Sequence, residues 1–104
     1  MSAETYQFPN HLTIRNVSEQ HHHLTTKIDS CSHVSCHVPD DAEIDISFLQ
    51  LMESARLYAQ SAGKQLMLDQ PAEAALLDVL SRCGWLNTDN QDIRRFWLHE
   101  GGKQ

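Results

Sequence analysis

Between His33 and Gly84 the apolar residues switch their spacing from every second position to helical spacing, twice over, and this limits the folds open to the chain. Val34, Cys36 and Val38 alternate with His33, Ser35 and His37, so the two sets point to opposite sides of a strand. Pro39-Asp40-Asp41 breaks it, and Ala42 to Asp45 leads into the longest periodic run. From Ser47 to Ala62, the residues Phe48, Leu51, Met52, Ala55, Tyr58, Ala59 and Ala62 keep to one side of a helix. Gly63 supplies the left-handed stop that helices favour. Lys64 to Leu68 reads as a short strand centred on Leu66-Met67-Leu68. Pro71 then suits the first turn of another helix, with Asp69 or Gln70 as its cap. The buried stripe of that helix is Ala72, Leu76, Val79, Leu80 and Cys83, and Gly84 ends it.

The flanks extend the alternation. Residues 1–10 read as a frayed start or an edge strand, and His11 to Ile14 as a short extended piece. Asn16 is placed to cap a helix, with Glu19 three residues on where a capping box needs an acid. Val17, His21, Leu24 and Ile28 then fall on one face of a helix that runs to about Asp29. After Gly84, Trp85 and Leu86 should cover the end of the core, and residues 87–90 form a loop. Asp92 to His99 is a helix or a strand; helix is preferred, since it puts Ile93, Phe96 and Trp97 on one face. Strand, helix, strand, helix, strand, helix is the order of an α/β domain with right-handed crossovers. One domain over residues 1–104 is expected, frayed at 1–10 and 100–104.

Composition narrows function by exclusion. Fourteen acids against eight bases give a formal charge of −6, a field that repels nucleic acid and anionic lipid. No apolar run approaches the ~20 residues of a membrane span. Met1 to Pro9 lacks the basic and apolar regions of a secretion signal. Three cysteines, an odd number without dense spacing, suit a reduced cytoplasmic protein.

The segments Asp45-Ile46-Ser47-Phe48-Leu49-Gln50-Leu51, Ala62-Gly63-Lys64-Gln65-Leu66-Met67-Leu68 and Pro71 to Cys83 with Gly84-Trp85 resemble, in order and spacing, the STAS domain of bacterial anti-sigma factor antagonists. The match covers roughly half of the chain, and Leu12 to Ile28 continue it. The resemblance implies a STAS-like fold, a mixed β-sheet with helices packed against it, and a docking role. It also exposes three departures. The serine phosphorylated in signalling members directly follows the motif's aspartate; here that position is Ile46, which has no hydroxyl. The next serine is kept as Ser47, the family's glycine is Phe48, and an aspartate eight residues upstream falls on His37. The usual phospho-switch is therefore expected to be missing, with Ser47 the only local fallback.

The motif also has physical sense on its own. Asp45 to Phe48 follows a strand and opens a helix, the rim where partners bind in open α/β sheets. Unpaired N–H groups and the helix dipole would favour a negative group there. The plainer role is that Asp45 or Ser47 simply caps the helix, and both can hold. Phe48 would either fold into the core or stand at the rim as an anchor. Asp40, Asp41, Glu43 and Asp45 form an acidic lip.

Other constellations lead nowhere. Cys31, His33 and His37 share one strand face and Cys36 takes the other, without the turn-like spacing zinc requires. His21, His22 and His23 spread through about 200° of a helix and cannot converge on one ion. Cys36 and Cys83 fall on apolar stripes, leaving Cys31 as the exposed thiol. There is no phosphate loop and no nucleophile elbow. The expectation is a cytoplasmic regulatory module, not an enzyme, with no cofactor and no metal. It would bind an anti-sigma factor, a kinase-like protein or a chemotaxis-type signalling protein through Asp45, Ile46, Ser47, Phe48 and Leu49. Two alternatives stand beside it: a STAS-like accessory subunit of a phospholipid-transport ABC complex, and a small metal- or ligand-binding sensor.

Overall fold

A computed structural model of the chain describes residues 3–99. The strands β1 (Ala3–Gln7), β3 (His33–His37) and β5 (Gln65–Leu68) form one sheet in the order β1-β3-β5. Two further short strands, β2 (His11–Leu12) and β4 (Glu43–Ile44), form a separate two-stranded ladder. Both ladders are parallel throughout, so the antiparallel part of a mixed sheet is not found among the described residues. Among the described residues four helices complete the α/β architecture: α1 (Val17–Ser30), α2 (Ile46–Ser61), α3 (Ala74–Arg82) and α4 (Gln91–Leu98). Among the described residues no helix is long and apolar enough to cross a membrane.

The strand alternation holds as expected. Val34, Cys36 and Leu68 are buried on one face, while Thr5, Gln7, Gln65 and Met67 are exposed on the other. Parallel sheets are usually covered on both faces, and their strands are then apolar throughout. Here the polar alternation leaves one face to water, and the molecule is thin, with extents of 36 × 35 × 20 Å. Of the two readings of residues 1–10, a frayed start or an edge strand, the edge strand is the one found from Ala3 onward, because β1 pairs with β3 along its whole length. Residues 1–2 and 100–104 lie outside the described residues.

Several local expectations yield to tertiary contacts. Asn16 stands at the N-cap of α1 but makes no capping bond; its Oδ1 accepts from the Thr13 N–H and its amide donates to the His11 carbonyl. The side chain closes the preceding turn instead, so the capping box with Glu19 does not form. Helix α3 starts at Ala74 rather than Pro71, because the Ala72 N–H donates to the Trp97 carbonyl of α4 at 2.7 Å. That bond holds residues 71–73 out of the helix. Cys83 is exposed and Cys31 is buried, the reverse of their expected roles. The C-terminal periodicity is helical, as preferred, with Phe96 and Trp97 in the core.

Three contacts lock the layers together. Gln20, buried on α1, accepts from the Tyr6 hydroxyl at 2.7 Å, which joins the helix layer to β1. Phe8 stands edge-on to Phe48 with ring centroids 5.0 Å apart, and to Tyr6 at 4.9 Å. Lys64 Nζ donates to the carbonyls of Ile28, Asp29 and Cys31 at 2.9–3.1 Å. It thereby caps the C-terminus of α1 from the start of β5, where a cation suits the helix dipole.

Candidate functional site

The site is built where the two shortest strands end. In the β2–β4 ladder His11 pairs with Glu43 and Leu12 with Ile44, and the Asp45 N–H continues it onto the Leu12 carbonyl at 3.2 Å. Both chains then turn away: residues 13–16 into the turn before α1, and Asp45 into the start of α2. The Asp45 carboxylate joins the two departures. Its Oδ1 accepts from the Ser47 N–H at 2.9 Å and caps α2, and its Oδ2 accepts from the Ile14 N–H at 3.0 Å. One side chain therefore fixes the angle between the turn and the helix.

Two apolar side chains stand in water beside this clamp. Ile14 is 69% exposed and Ile46 is 46% exposed. Glu43 and His11 are paired across the ladder at 3.1 Å, and Asp40 and Asp41 are exposed on the loop leading into β4. The result is an apolar pair on an acidic rim. Burying the exposed part of one such side chain against a partner would contribute roughly 1–2 kcal/mol.

Of the five residues expected at the rim, the fold brings three to it. Asp45 and Ser47 are half-buried and Ile46 is exposed. Phe48 and Leu49 are fully buried, because the inward side of α2 runs through positions 48, 49, 52, 55 and 59. Phe48 folds back onto Phe8 and cannot anchor a partner in this conformation. The cap comes from the Asp45 carboxylate and not from the Ser47 hydroxyl. This bears on anion binding too. The Ser47 N–H already serves a carboxylate, and an incoming phosphate would meet that negative charge at close range.

Ile14 was missed in the sequence. The available signal was an isoleucine directly after a short extended segment and before a turn closed by Asn16, but its nearness to Asp45 depends on a contact 31 positions away.

The remaining reactive groups are dispersed. No cluster of three metal-binding side chains occurs among the described residues. His37 Nδ1 meets Asp69 Oδ2 at 2.8 Å at the end of the main sheet, and His21 Nε2 lies 3.4 Å from the Ser54 hydroxyl. Burial, with a smaller contribution from Asp69, pushes the Cys36 thiol up to about 12, so it stays protonated and unreactive near neutrality. The hollow beside Cys36, Asp69 and Leu76 measures about 20 Å³, room for roughly one water. Compared with known proteins, the chain matches no family model, no curated protein and no solved structure.

Proposed function

We propose that the chain is a regulatory protein-interaction module of the anti-sigma factor antagonist type, acting in the cytoplasm by docking through the rim at the start of α2. The observation that carries this reading is the clamp at Asp45, which holds two exposed isoleucines in a fixed relation. A preorganised apolar pair with a charged surround is the form of a protein-binding hot spot, because little ordering is left to do on association. The acidic lip of Asp40, Asp41 and Glu43 sets the chemistry of the partner: an apolar centre flanked by bases, drawn in by opposite charge.

The resemblance to STAS domains supplies the class of partner, an anti-sigma factor, a kinase-like protein or a chemotaxis-type signalling protein. Its departures supply the mode. With Ile46 at the acceptor position and Asp45 at the helix N-terminus, association would be set by the abundance of the partner rather than by phosphorylation. The rim itself stands on the geometry and does not require the resemblance.

The test is a photo-crosslinking residue placed at position 46 in native cells, with exposed Leu77 as a control position. A signalling protein should be captured from position 46 and not from position 77. Ile14→Asp in the same chain should remove the product without unfolding the protein. Capture of a transport ATPase from position 46 would keep the rim and overturn the signalling assignment. Equal capture from both positions would overturn the rim.

A further inference from the structure

The last strand of the main sheet has an open side. β5 pairs with β3 on one edge only, and its other edge faces a groove of about 640 Å³ between the C-terminal half of α2 and helix α4. A groove of this size falls in the range of ligand-binding pockets. Which main-chain groups it meets follows from the pleat. The Gln65 and Asp69 N–H groups donate to Ser32 and Cys36 of the neighbouring segment, so positions 65, 67 and 69 face β3. Positions 64, 66 and 68 then face outward. The Lys64 N–H is taken by the Ala59 carbonyl and the Leu68 carbonyl by His99 Nε2. Between them, the outward N–H and C=O of Leu66 have no partner among the described residues and face the groove.

β5 is short and flanked by α4, but two of the usual guards of a sheet edge are lacking. Residues 65–68 contain no lysine and no proline, and Met67 is 46% exposed beside the edge. Phe96 adds an apolar wall from α4. The charge of the groove is opposite to that of the molecule. Three cations, Arg56, Lys64 and Arg95, and one acid, Asp92, line it in a chain of formal charge −6. Arg56 is tied to Glu53 and Arg95 to Asp92, but the bonds of Lys64 go to main-chain carbonyls, which hold its position without cancelling its charge.

We propose that this groove takes an extended acidic segment of a partner protein, added as a fourth strand beside β5. The open groups of Leu66 give the main-chain hydrogen bonds, Met67 and Phe96 the apolar contact, and the excess of cations over acid in the lining the preference for an acidic segment. This is strand addition at a sheet edge, in which the backbone supplies affinity and flanking side chains supply selectivity. A second copy of the chain fits less well, since a two-fold interface sets each patch against itself and would bring the same cations together. The groove flanks the C-terminal half of α2, so it is a different surface from the rim at Asp45 and does not depend on that reading.

The probe is a capped seven-residue peptide of alternating valine and glutamate, added to the isotope-labelled chain and followed at the Leu66 amide. Two control peptides carry lysine in place of glutamate, or N-methyl groups on alternate amides. Saturable binding should slow exchange of the Leu66 amide by at least about tenfold, as a newly formed main-chain bond requires. The lysine peptide should bind at least about tenfold more weakly, and the N-methylated peptide should not protect Leu66. Arg95→Glu, at an exposed position, should narrow or reverse the charge preference while circular dichroism stays unchanged. No binding of the glutamate peptide, equal binding of the two charge types, or binding without Leu66 protection would each overturn the proposal. So would a concentration-dependent dimer that protects Leu66 in the absence of peptide.

Discussion

Removing the carboxylate of Asp45 tests the architecture of the rim most directly. The side chain makes two bonds to backbone donors, at 2.9 Å to Ser47 and 3.0 Å to Ile14. Loss of an N-cap costs about 1 kcal/mol, within a range of about 0.5–2. The second bond also has a charged acceptor, but the Ile14 end is solvent-exposed and water can replace much of it, so about 1 kcal/mol is a fair allowance. Asp45→Ala should therefore lower stability by about 2 kcal/mol in a urea titration with an unchanged slope. Asp45→Asn keeps one oxygen and turns an amide toward the second donor, so its cost should lie near that of the alanine variant. Asp45→Ser keeps only the cap and should recover about 1 kcal/mol. The distinguishing readout is local. Amide exchange at Ile14 should accelerate in all three variants, whereas exchange at Ser47 should accelerate only where the cap is lost. An alanine variant that costs under about 0.5 kcal/mol, or leaves Ile14 exchange unchanged, would refute the clamp.

Leu51→Ala and Met52→Ala should each cost about 2–5 kcal/mol, because both side chains are buried in the core, while exposed Gln60→Ala should cost under about 0.5 kcal/mol in the same titration. Alkylation by iodoacetamide near neutral pH should modify Cys83 quickly and leave Cys31 and Cys36 protected until unfolding, as mass spectrometry of timed samples will show. Stability should fall in alkali. The Cys36 thiol has its pKa raised from 9.0 to about 12, mainly by burial, so folded protein holds the proton that unfolded chain releases. The contribution is fully present below pH ~9 and is lost between there and pH ~12, on the order of 4 kcal/mol over the window. Tyr6, raised mainly by burial, works in the same direction, and Cys36→Ala should flatten the alkaline slope measured by denaturation at stepped pH.

The sequence made the main elements legible where a local pattern had one interpretation. The alternation from His33 to Val38 and the stripe of Phe48, Leu51, Met52, Ala55 and Ala59 each admit one buried face, although Tyr58 and Ala62, read into the same stripe, are exposed; Gly63 and Gly84 do take the left-handed backbone their positions required. What stayed illegible was decided by contacts distant in sequence. Asn16 has the residue type of a cap and serves the turn at Thr13 instead. Pro71 has the residue type of a helix start, yet the bond from Ala72 to Trp97 holds its segment extended. Cys31 and Cys83 exchange roles for the same reason: the first lies beneath the Lys64 contact at the end of α1, the second at the open end of α3. At the start of α2, the residue types at 45 to 47 pointed to a helix cap, which Asp45 supplies, while Ile14 meets that cap only through the fold.

The two surfaces proposed for this chain lie at opposite ends of α2, and that placement has a consequence. Sixteen helical residues separate the ends by about 24 Å. The N-terminal end presents acids and exposed isoleucines, the C-terminal half cations and an open strand edge. Ligands of opposite charge would therefore sort to different ends, and the distance exceeds the roughly 8 Å over which exposed charges act in physiological salt. Occupation of one end should then leave affinity at the other nearly unchanged unless α2 itself moves. Phe48 opposes such movement: buried at the first turn of α2 and seated against Phe8, it ties the start of the helix to the segment after β1. A glycine there would leave a large void in the core and loosen that end. With Phe48 seated there, the expected outcome is that affinity at one end, measured with the other end occupied, stays unchanged.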